Sequence, residues 1–546
     1  MTLLTSLARA EAAAAGRARR IRTVRHVHLS DRPLMIIPLQ LAGEACAPLA
    51  VLVGDDPDKP RLLTVYEPRD RARRFEFAAD LADVILGHLD GYLPASPDSA
   101  GGDDPGHAGT VDDAAGRPPA SAGRAASASA GGTAVQTEPF PDAPQLIVPN
   151  PNAAVFLGLL GRSTRFRRTD GEYAVRPTVP LLGRWLTHYA ERAQVPGSAL
   201  MLPMTAALAE HWATGQSALE DANLAALLGW IDPPPGQTGP QAARTAEDPL
   251  RSPPAGPATD PTFDNEVLQG RMQAIRDAVI SADTAALHRA QAAMDAVLRD
   301  QLTPTWDLLW RGYALLAALP EAEHVAEHWS WDRRSFTDQV QWQRAEGAPQ
   351  ARRDNAVSAA RRLASLERTA QRVAIHRAYD DPLVMAEYRL AGEAFAGTVT
   401  EADPARLDTE GQRAKLRPWI TVRTSDEVII ERDAALASPR YPSQQATVIE
   451  VAPAGAGGAT LVTLELSGGM GRGKIAPPGT MPAVGDQVTY TTLKDDFQPS
   501  ADFPSRERTP WTHGGPPPEY VPADEDALED QGEWGAGAPH AGRSFS

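Results

Sequence analysis

Cysteine, lysine and aromatic residues are scarce in this sequence of 546 residues. The single cysteine, Cys46, excludes an intramolecular disulfide and any zinc or iron–sulfur site built from several cysteines, and it fits a reducing cytoplasm. Only 4 of the 53 basic residues are lysines, an arginine excess that is typical of high-GC bacterial genomes. Apolar runs stay well short of the roughly 18 residues that span a membrane, and no signal-peptide pattern is present. We therefore expect a cytoplasmic protein that does not enter a membrane.

Several motifs of common enzyme classes are also absent. No GxSxG, CxxC or GxGxxG pattern occurs, which leaves esterase, thiol-redox and dinucleotide-binding hypotheses without support. The run Gly468–Lys474 matches the GxxxxGK part of a phosphate-binding loop, but Ile475 replaces the Ser or Thr that would ligate Mg²⁺. Pro477 and Pro478 then prevent the helix whose N-terminus should face the phosphates. The sequence thus predicts a glycine-rich loop and no cofactor.

The length and the patterning of the chain predict a multidomain α+β protein. At 546 residues the chain exceeds what a single hydrophobic core usually organises, and its 44 Gly and 49 Pro indicate flexible stretches. We expect a small N-terminal α/β sheet domain, a helical middle, a C-terminal SH3- or OB-like β-barrel, disordered linkers and an acidic tail. In chain order the predicted segments are residues 1–94 (sheet plus helix, with a basic N-terminal helix), 95–143 (disordered linker), 144–233 (mainly helical domain), 234–262 (Pro-rich linker), 263–380 (helical bundle), 385–497 (β-barrel) and 498–546 (acidic disordered tail).

Six short β-rich runs, separated by clusters of Gly, Pro and Asp, are the basis of the barrel prediction. They are Phe395–Thr400, Pro418–Thr424, Val428–Glu431, Ala446–Val451, Thr460–Leu466 and Gln487–Leu493. This density of strands over about 110 residues is typical of a closed sheet.

Four short stretches stand out within this region: Ala396–Val399, Arg417–Val422, Gly469–Arg472 and Val484–Val488. They resemble the accessory β-barrel that is inserted in some superfamily 1 DNA helicases. The resemblance covers about a fifth of the chain and implies a binding module that works with a helicase. Neither a working phosphate-binding loop nor a DExx acidic strand accompanies it, so it does not imply helicase activity. The chain as a whole resembles proteins of high-GC bacteria, and that resemblance implies no activity.

Arginines interleaved with aromatic residues are candidate nucleic-acid contacts, because guanidinium groups bind phosphates and aromatic rings stack on bases. One cluster surrounds Phe166, a second forms a stripe along a predicted helix, and others lie in the barrel region. The candidate residues are Arg162, Arg165, Arg167, Arg168, Arg361, Arg368, Arg372, Arg417, Trp419, Arg472 and Lys474. The formal charge of −17 argues against a surface that coats nucleic acid everywhere, so we expect local patches. Each patch taken alone also fits an ordinary solvated surface.

His324, Glu327 and His328 form an HxxEH pattern. On a helix this spacing brings two imidazoles one turn apart beside a carboxylate, as inverted zinc metallopeptidases require. The motif is short and only scattered acidic residues follow as a third ligand, so a solvated helix face is the alternative interpretation. From the sequence we assign neither a catalytic nor a metal-binding residue.

The leading functional hypothesis is a non-catalytic accessory protein that binds DNA or RNA. In this hypothesis the barrel and the basic patches hold the strand, while the acidic tail recruits a helicase or another protein of a helicase or defence complex. The acidic net charge also fits a protein–protein scaffold without nucleic-acid binding. A zinc metallopeptidase that uses the HxxEH motif is a third, more distant alternative.

Overall fold

The computed structural model describes residues 2–44, 47–94, 138–249, 251–253, 256–345, 356–409, 414–454, 458–471 and 473–495, together with Pro504 and Arg508. Its helices are α1 (Leu3–Ala15), α2 (Arg71–Asp90), α3 (Pro151–Thr164), α4 (Thr178–Arg192), α5 (Met204–His211), α6 (Leu224–Ile231), α7 (Gly239–Glu247), α8 (Pro261–Phe263), α9 (Gln269–Ile280), α10 (Thr284–Ala317), α11 (Val325–Arg344), α12 (Ala356–Asp380) and α13 (Pro382–Leu390). Its strands are β1 (Arg19–Arg20), β2 (Leu34–Gln40), β3 (Pro48–Gly54), β4 (Arg61–Thr64), β5 (Leu146–Val148), β6 (Met201–Pro203), β7 (Trp212–Ala213), β8 (Ala394–Asp403), β9 (Leu407–Asp408), β10 (Lys415–Leu416), β11 (Trp419–Thr424), β12 (Ala435–Ala437), β13 (Gln445–Pro453), β14 (Thr460–Ser467) and β15 (Gln487–Thr491). This mixture of helices and sheets confirms the predicted α+β class. None of the described helices combines the length and the apolar character needed to cross a membrane.

A five-stranded mixed sheet forms the centre of the N-terminal body, in the order β4-β3-β2-β5-β6. β2 pairs antiparallel with β3 and parallel with β5. Alternate residues of β2 enter two different hydrophobic cores: Leu34 and Ile36 lie in one, and Met35 and Ile37 lie in the other. Both faces of the sheet are therefore covered, which explains why β2 is a continuous apolar run rather than an alternating one.

The sheet joins segments that the sequence analysis assigned to separate domains. β5 and β6 come from the predicted helical domain, yet they extend the sheet formed by β2, β3 and β4. Trp306 of α10 and Phe336 of α11, from the predicted bundle, complete the two cores. The sheet thus draws its strands from two of the predicted segments, because short parallel strands pair over long sequence separations that local patterns do not encode.

The predicted basic N-terminal helix contains only one of the arginines that made this segment basic. α1 ends at Ala15, and Gly16 follows in a left-handed conformation with a φ of 64°. The arginines between residues 17 and 25 therefore lie beyond the helix, which itself contains Arg9 and Glu11.

The predicted linkers and tail are described only in part. Residues 95–137 and nearly all of the tail lie outside the described residues. At the end of the first linker, Phe140 is buried in the core. The predicted linker 234–262 contains α7, because Trp230 offers an apolar surface against which Ala243 packs.

The predicted C-terminal barrel is confirmed: six strands close in the order β11-β14-β13-β12-β15-β8. Val422 and Val448 are fully buried in its interior. The predicted run Val428–Glu431 is not a strand, and β12 completes the barrel instead. Ile429 packs against the turn at Gly392, where a Cβ atom would lie 2.6 Å from the Ile429 Cδ1.

α13 connects the helical body to the barrel, and one end of the barrel rests against the helices. Arg389 of α13 donates hydrogen bonds to both oxygens of the Asp426 carboxylate, at 2.7 and 2.8 Å. The Tyr379 hydroxyl donates to the backbone carbonyl of Leu493, just beyond β15, at 2.7 Å. These contacts fix the barrel end at which β8 starts and β15 finishes.

Candidate functional site

Three loops form the barrel end opposite this attachment, and we call it the barrel rim. The loops follow β8, β12 and β14, and their described residues are 404–409, 414–418, 438–444, 468–471 and 473–486. The Ala476 amide donates to the Pro404 carbonyl at 3.0 Å, and the Gln444 side-chain amide donates to the Thr480 carbonyl at 3.1 Å. These contacts unite the three loops into one surface.

The barrel rim carries positive charge beside aromatic side chains. The Arg406 guanidinium lies 4.0 Å from the ring centroid of Trp419 and pairs with Glu465 at 2.5 Å. Arg417 also lies near Glu465, at 3.8 Å. The exposed rim cations that make no ion pair with another described residue are Lys415, Arg440 and Lys474.

Three of the predicted nucleic-acid contacts, Arg417, Trp419 and Lys474, come together at the barrel rim. Arg472 lies outside the described residues. Sequence reasoning did not select Arg406, whose backbone carbonyl accepts the Arg417 amide at 2.9 Å. The fold of the β9–β10 hairpin brings Arg406 over Trp419, and the linear sequence carries no signal for that contact.

The predicted arginine cluster around Phe166 lies at the end of α3 and makes contacts within the protein. The Arg165 guanidinium lies 4.8 Å from the Phe166 ring centroid, and Arg165 is only 8% exposed. Arg167 lies 5.0 Å from the ring centroid of Phe75 in α2. The other two members are Arg162, which is exposed, and Arg168, which is partly exposed.

The predicted arginine stripe of α12 lies away from the barrel rim. Arg361 and Arg368 are exposed on the helix. Arg372 bridges two carboxylates, with Glu327 at 2.8 Å and Asp495 at 3.0 Å. Asp495 follows the end of β15. Arg372 therefore contacts the chain at the barrel end that is attached to the helices, opposite the barrel rim.

The HxxEH residues lie at the start of α11, beside the end of α12. The Nδ1 of His324 is 2.6 Å from Asp380, and this hydrogen bond raises the pKa of His324. The Nε2 of His328 lies 2.9 Å from the Nδ1 of His376, and burial lowers the pKa of His328 to about 3. An inverted zinc metallopeptidase needs both motif histidines on the metal, so this arrangement differs from that class.

His376 completes a cluster with two residues of the motif. Ligand atoms of His324, Glu327 and His376 all lie within 4.8 Å of one another, and we call these three residues the histidine cluster. Sequence reasoning did not select His376 or Asp380. Their i, i+4 spacing was a usable signal of one helix face, although spacing alone does not say what that face meets.

No protein family, curated protein or solved structure matches this chain. The resemblance of the barrel region to a helicase accessory domain therefore stays a prediction. Functional inference rests on the chemistry of two places, the barrel rim and the histidine cluster.

Proposed function

We propose that this protein is a non-catalytic accessory protein that holds a DNA or RNA strand on the barrel rim, within a helicase or defence complex. The observation that supports this proposal is the gathering of five described cations on loops from three separate parts of the barrel, beside Trp419 at the start of β11. Lys415, Arg440 and Lys474 have no ion-pair partner among the described residues, so each is available to a phosphate.

The chemistry of the rim favours contact with the nucleic-acid backbone together with base stacking. Exposed Lys and Arg neutralise phosphates and release condensed counterions, which gives an affinity that does not depend on sequence and falls with salt. Aromatic rings add about 1–3 kcal/mol for each stacked base. Besides Trp419, the rim has Tyr441, whose ring centroid lies 5.7 Å from the Arg440 guanidinium.

The acidic net charge of the chain does not prevent such a local site. The formal charge is −17, but interactions between exposed charges are largely screened beyond about 8 Å at physiological salt. Beside the rim, Glu465 of β14 pairs with Arg406 and Arg417. Asp486 accepts a hydrogen bond from the Ala483 amide at 3.0 Å, so it closes a turn. The acidic tail, outside the described residues, has the proposed role of recruiting a helicase or another protein of the complex.

Fluorescence anisotropy of labelled single- and double-stranded oligonucleotides, measured with the full chain over a salt series, tests the proposal. The rim variant carries Gln at Lys415, Arg440 and Lys474. The matched control carries Gln at three exposed arginines outside the rim, Arg271, Arg289 and Arg432. For a single strand we expect the rim variant to reduce the slope of log K against log salt by about 2, since each phosphate contact contributes about 0.7.

Two outcomes would overturn the proposal. One is an equal loss of affinity in the rim variant and in the control, which would mean that binding follows total charge. The other is no binding at low salt, which would favour the protein–protein scaffold that the acidic net charge also fits.

A further inference from the structure

The histidine cluster lies where three elements that are distant in sequence meet. His324 and Glu327 stand at the start of α11, His376 lies near the end of α12, and Asp495 follows β15. The imidazole of His376 stacks on that of His324 with a centroid distance of 4.0 Å. The Nε2 of His376 lies 3.1 Å from the Oδ2 of Asp495. Two imidazoles and two carboxylates are therefore gathered in one small region.

The cluster is accessible from water on one side. The His376 side chain is 1% exposed, whereas that of His324 is 26% exposed. The carboxylate-bearing side chains of Glu327 and Asp495 are 38% and 32% exposed. A dissolved cation can therefore reach the cluster without unfolding of the helices.

Each histidine of the cluster has an outer partner that orients its ring. Asp380 binds the Nδ1 of His324, and its carboxylate also accepts the His324 amide at 3.1 Å, so the Nε2 of His324 is left for a ligand. His328 lies 2.9 Å from the Nδ1 of His376, which leaves the other nitrogen on the side of Asp495. Histidines that bind metals almost always carry such a partner on the second ring nitrogen.

Arg372 supplies the positive charge at this position. Its guanidinium bridges Glu327 at 2.8 Å and Asp495 at 3.0 Å, so it neutralises the same carboxylates that a metal cation would. The Arg372 side chain is 44% exposed, and its guanidinium also lies 5.1 Å from the Trp331 ring centroid. Displacement of this guanidinium toward solvent would free both carboxylates.

We infer that the cluster binds one divalent transition-metal cation through His324, Glu327 and His376, with Asp495 in reach as a fourth ligand. Two nitrogen and two carboxylate ligands suit Zn²⁺, which is bound tetrahedrally at about 2.0–2.2 Å. The ligand atoms of His324, Glu327 and His376 lie within 4.8 Å of one another, whereas the ligands of tetrahedral zinc are about 3.4 Å apart. A small movement of the partly exposed side chains of His324 and Glu327 toward His376 would close this difference. The bound ion ties α11 and α12 to the chain that leaves the barrel.

Calorimetric titration of the EDTA-treated full chain with Zn²⁺ measures the stoichiometry and affinity. The ligand variants are His376→Gln and Glu327→Gln, and the matched control is His288→Gln, an exposed histidine on α10. We expect the wild type and the control to bind one equivalent with the same affinity. Each ligand variant should lose more affinity than the roughly 10- to 100-fold that removal of an outer partner costs. Co²⁺ as a spectroscopic probe should give tetrahedral absorption bands in the wild type and the control alone.

Arg372→Gln separates a metal site from a purely structural network of ion pairs. Because Arg372 competes for the two carboxylates, we expect this variant to bind Zn²⁺ roughly 10-fold more tightly. Equal Zn²⁺ binding by the wild type and both ligand variants, or no stoichiometric binding by the wild type, would overturn the inference. Circular dichroism in EDTA establishes that each variant is folded. Glu327→Gln, at a partly exposed position, keeps the test decisive if His376→Gln does not fold.

Discussion

The barrel and the helical body use charged residues in opposite ways. On the barrel rim, Lys415, Arg440 and Lys474 face water and have no ion-pair partner among the described residues. In the body, Asp381 is fully buried and accepts hydrogen bonds from the amide and the hydroxyl of Thr23, at 2.7 and 2.9 Å. An exposed charge retains its hydration until a ligand arrives, whereas a buried charge is stable only with donors supplied by the protein. The difference separates side chains available for binding from side chains that maintain the fold.

Removal of the buried carboxylate of Asp381 should have the largest effect. Asp381 also caps α13 by accepting the Leu383 amide at 2.9 Å, and it lies 3.4 Å from the Nε2 of His26. Burial alone would raise the pKa of Asp381, but the nearby His26 imidazole and the hydrogen bonds from Thr23 and Leu383 lower it well below its usual value. We expect Asp381→Ala to reduce the free energy of unfolding of the body by about 3–5 kcal/mol.

Chemical denaturation followed by tryptophan fluorescence measures this loss. The control is Asp307→Ala, at an exposed position of α10, which should change the unfolding free energy by less than about 0.5 kcal/mol. Similar losses in the two variants would contradict the contrast between buried and exposed charges.

The two regions also differ in how far their sequences predict their structures. The barrel strands β8, β11 and β14 fall close to the predicted runs, because alternating inward and outward residues are a local pattern. Val428–Glu431 is the exception, since its apolar β-branched residues favour a strand but Ile429 packs at the turn of Gly392. In the body, β2 pairs in parallel with β5 through Leu34 and Leu146, and no local pattern indicates a partner so distant in sequence.

The candidate sites show the same limit of sequence reasoning. The HxxEH motif identifies His324 and Glu327, because both belong to one helical turn. His376 contacts His328, 48 positions before it, and Asp495, 119 positions after it. Its place in the cluster therefore depends on how α12 packs against α11 and against the segment that follows β15. Tertiary structure, rather than any motif, assembles the cluster.

Acidification should destabilise the body and leave the barrel unchanged, because residues 394–495 contain no histidine. His211 and His328 are buried in the body and His188 is partly buried. Loss of hydration lowers the pKa of His211 to about 4 and those of His188 and His328 to about 3. With an unfolded pKa of about 6.5, the unfolded state binds protons first as the pH falls. Protonation of each histidine in the unfolded state therefore lowers the free energy of unfolding of the body by about 2 kcal/mol between pH 7 and pH 5.

Hydrogen–deuterium exchange at pH 7 and pH 5, corrected for intrinsic rates, measures this difference in stability between body and barrel. We expect exchange to increase in peptides of the body and to stay constant in β8, β11 and β13–β15. His211→Gln, which removes one of these titrating groups, should weaken the pH dependence of the body. An equal change of hydrogen exchange in body and barrel would show that the histidines do not cause the loss of stability.

The junction between the two regions should show the smallest effect. Asp426 accepts two hydrogen bonds from Arg389 of α13 and a third from the Ala396 amide of β8, at 2.8 Å. A partly exposed pair of this kind contributes about 1 kcal/mol. We expect Arg389→Gln to increase hydrogen exchange in the first residues of β8 while the unfolding midpoint of the body stays unchanged. The control is Arg176→Gln, which breaks an exposed pair with Asp83 inside the body and should leave β8 unaffected.

The effect of Arg389→Gln shows whether the barrel and the body unfold separately or as one cooperative unit. If Arg389→Gln loosens β8 alone, the barrel and the body unfold as separate units, and each can bind its ligand independently of the other. If it lowers the stability of both together, the contact between Arg389 and Asp426 transmits stability between them. In that case a cation bound at His324 and His376, next to the chain that leaves β15, would also stabilise the barrel, because a ligand that binds the folded state stabilises the whole cooperative unit.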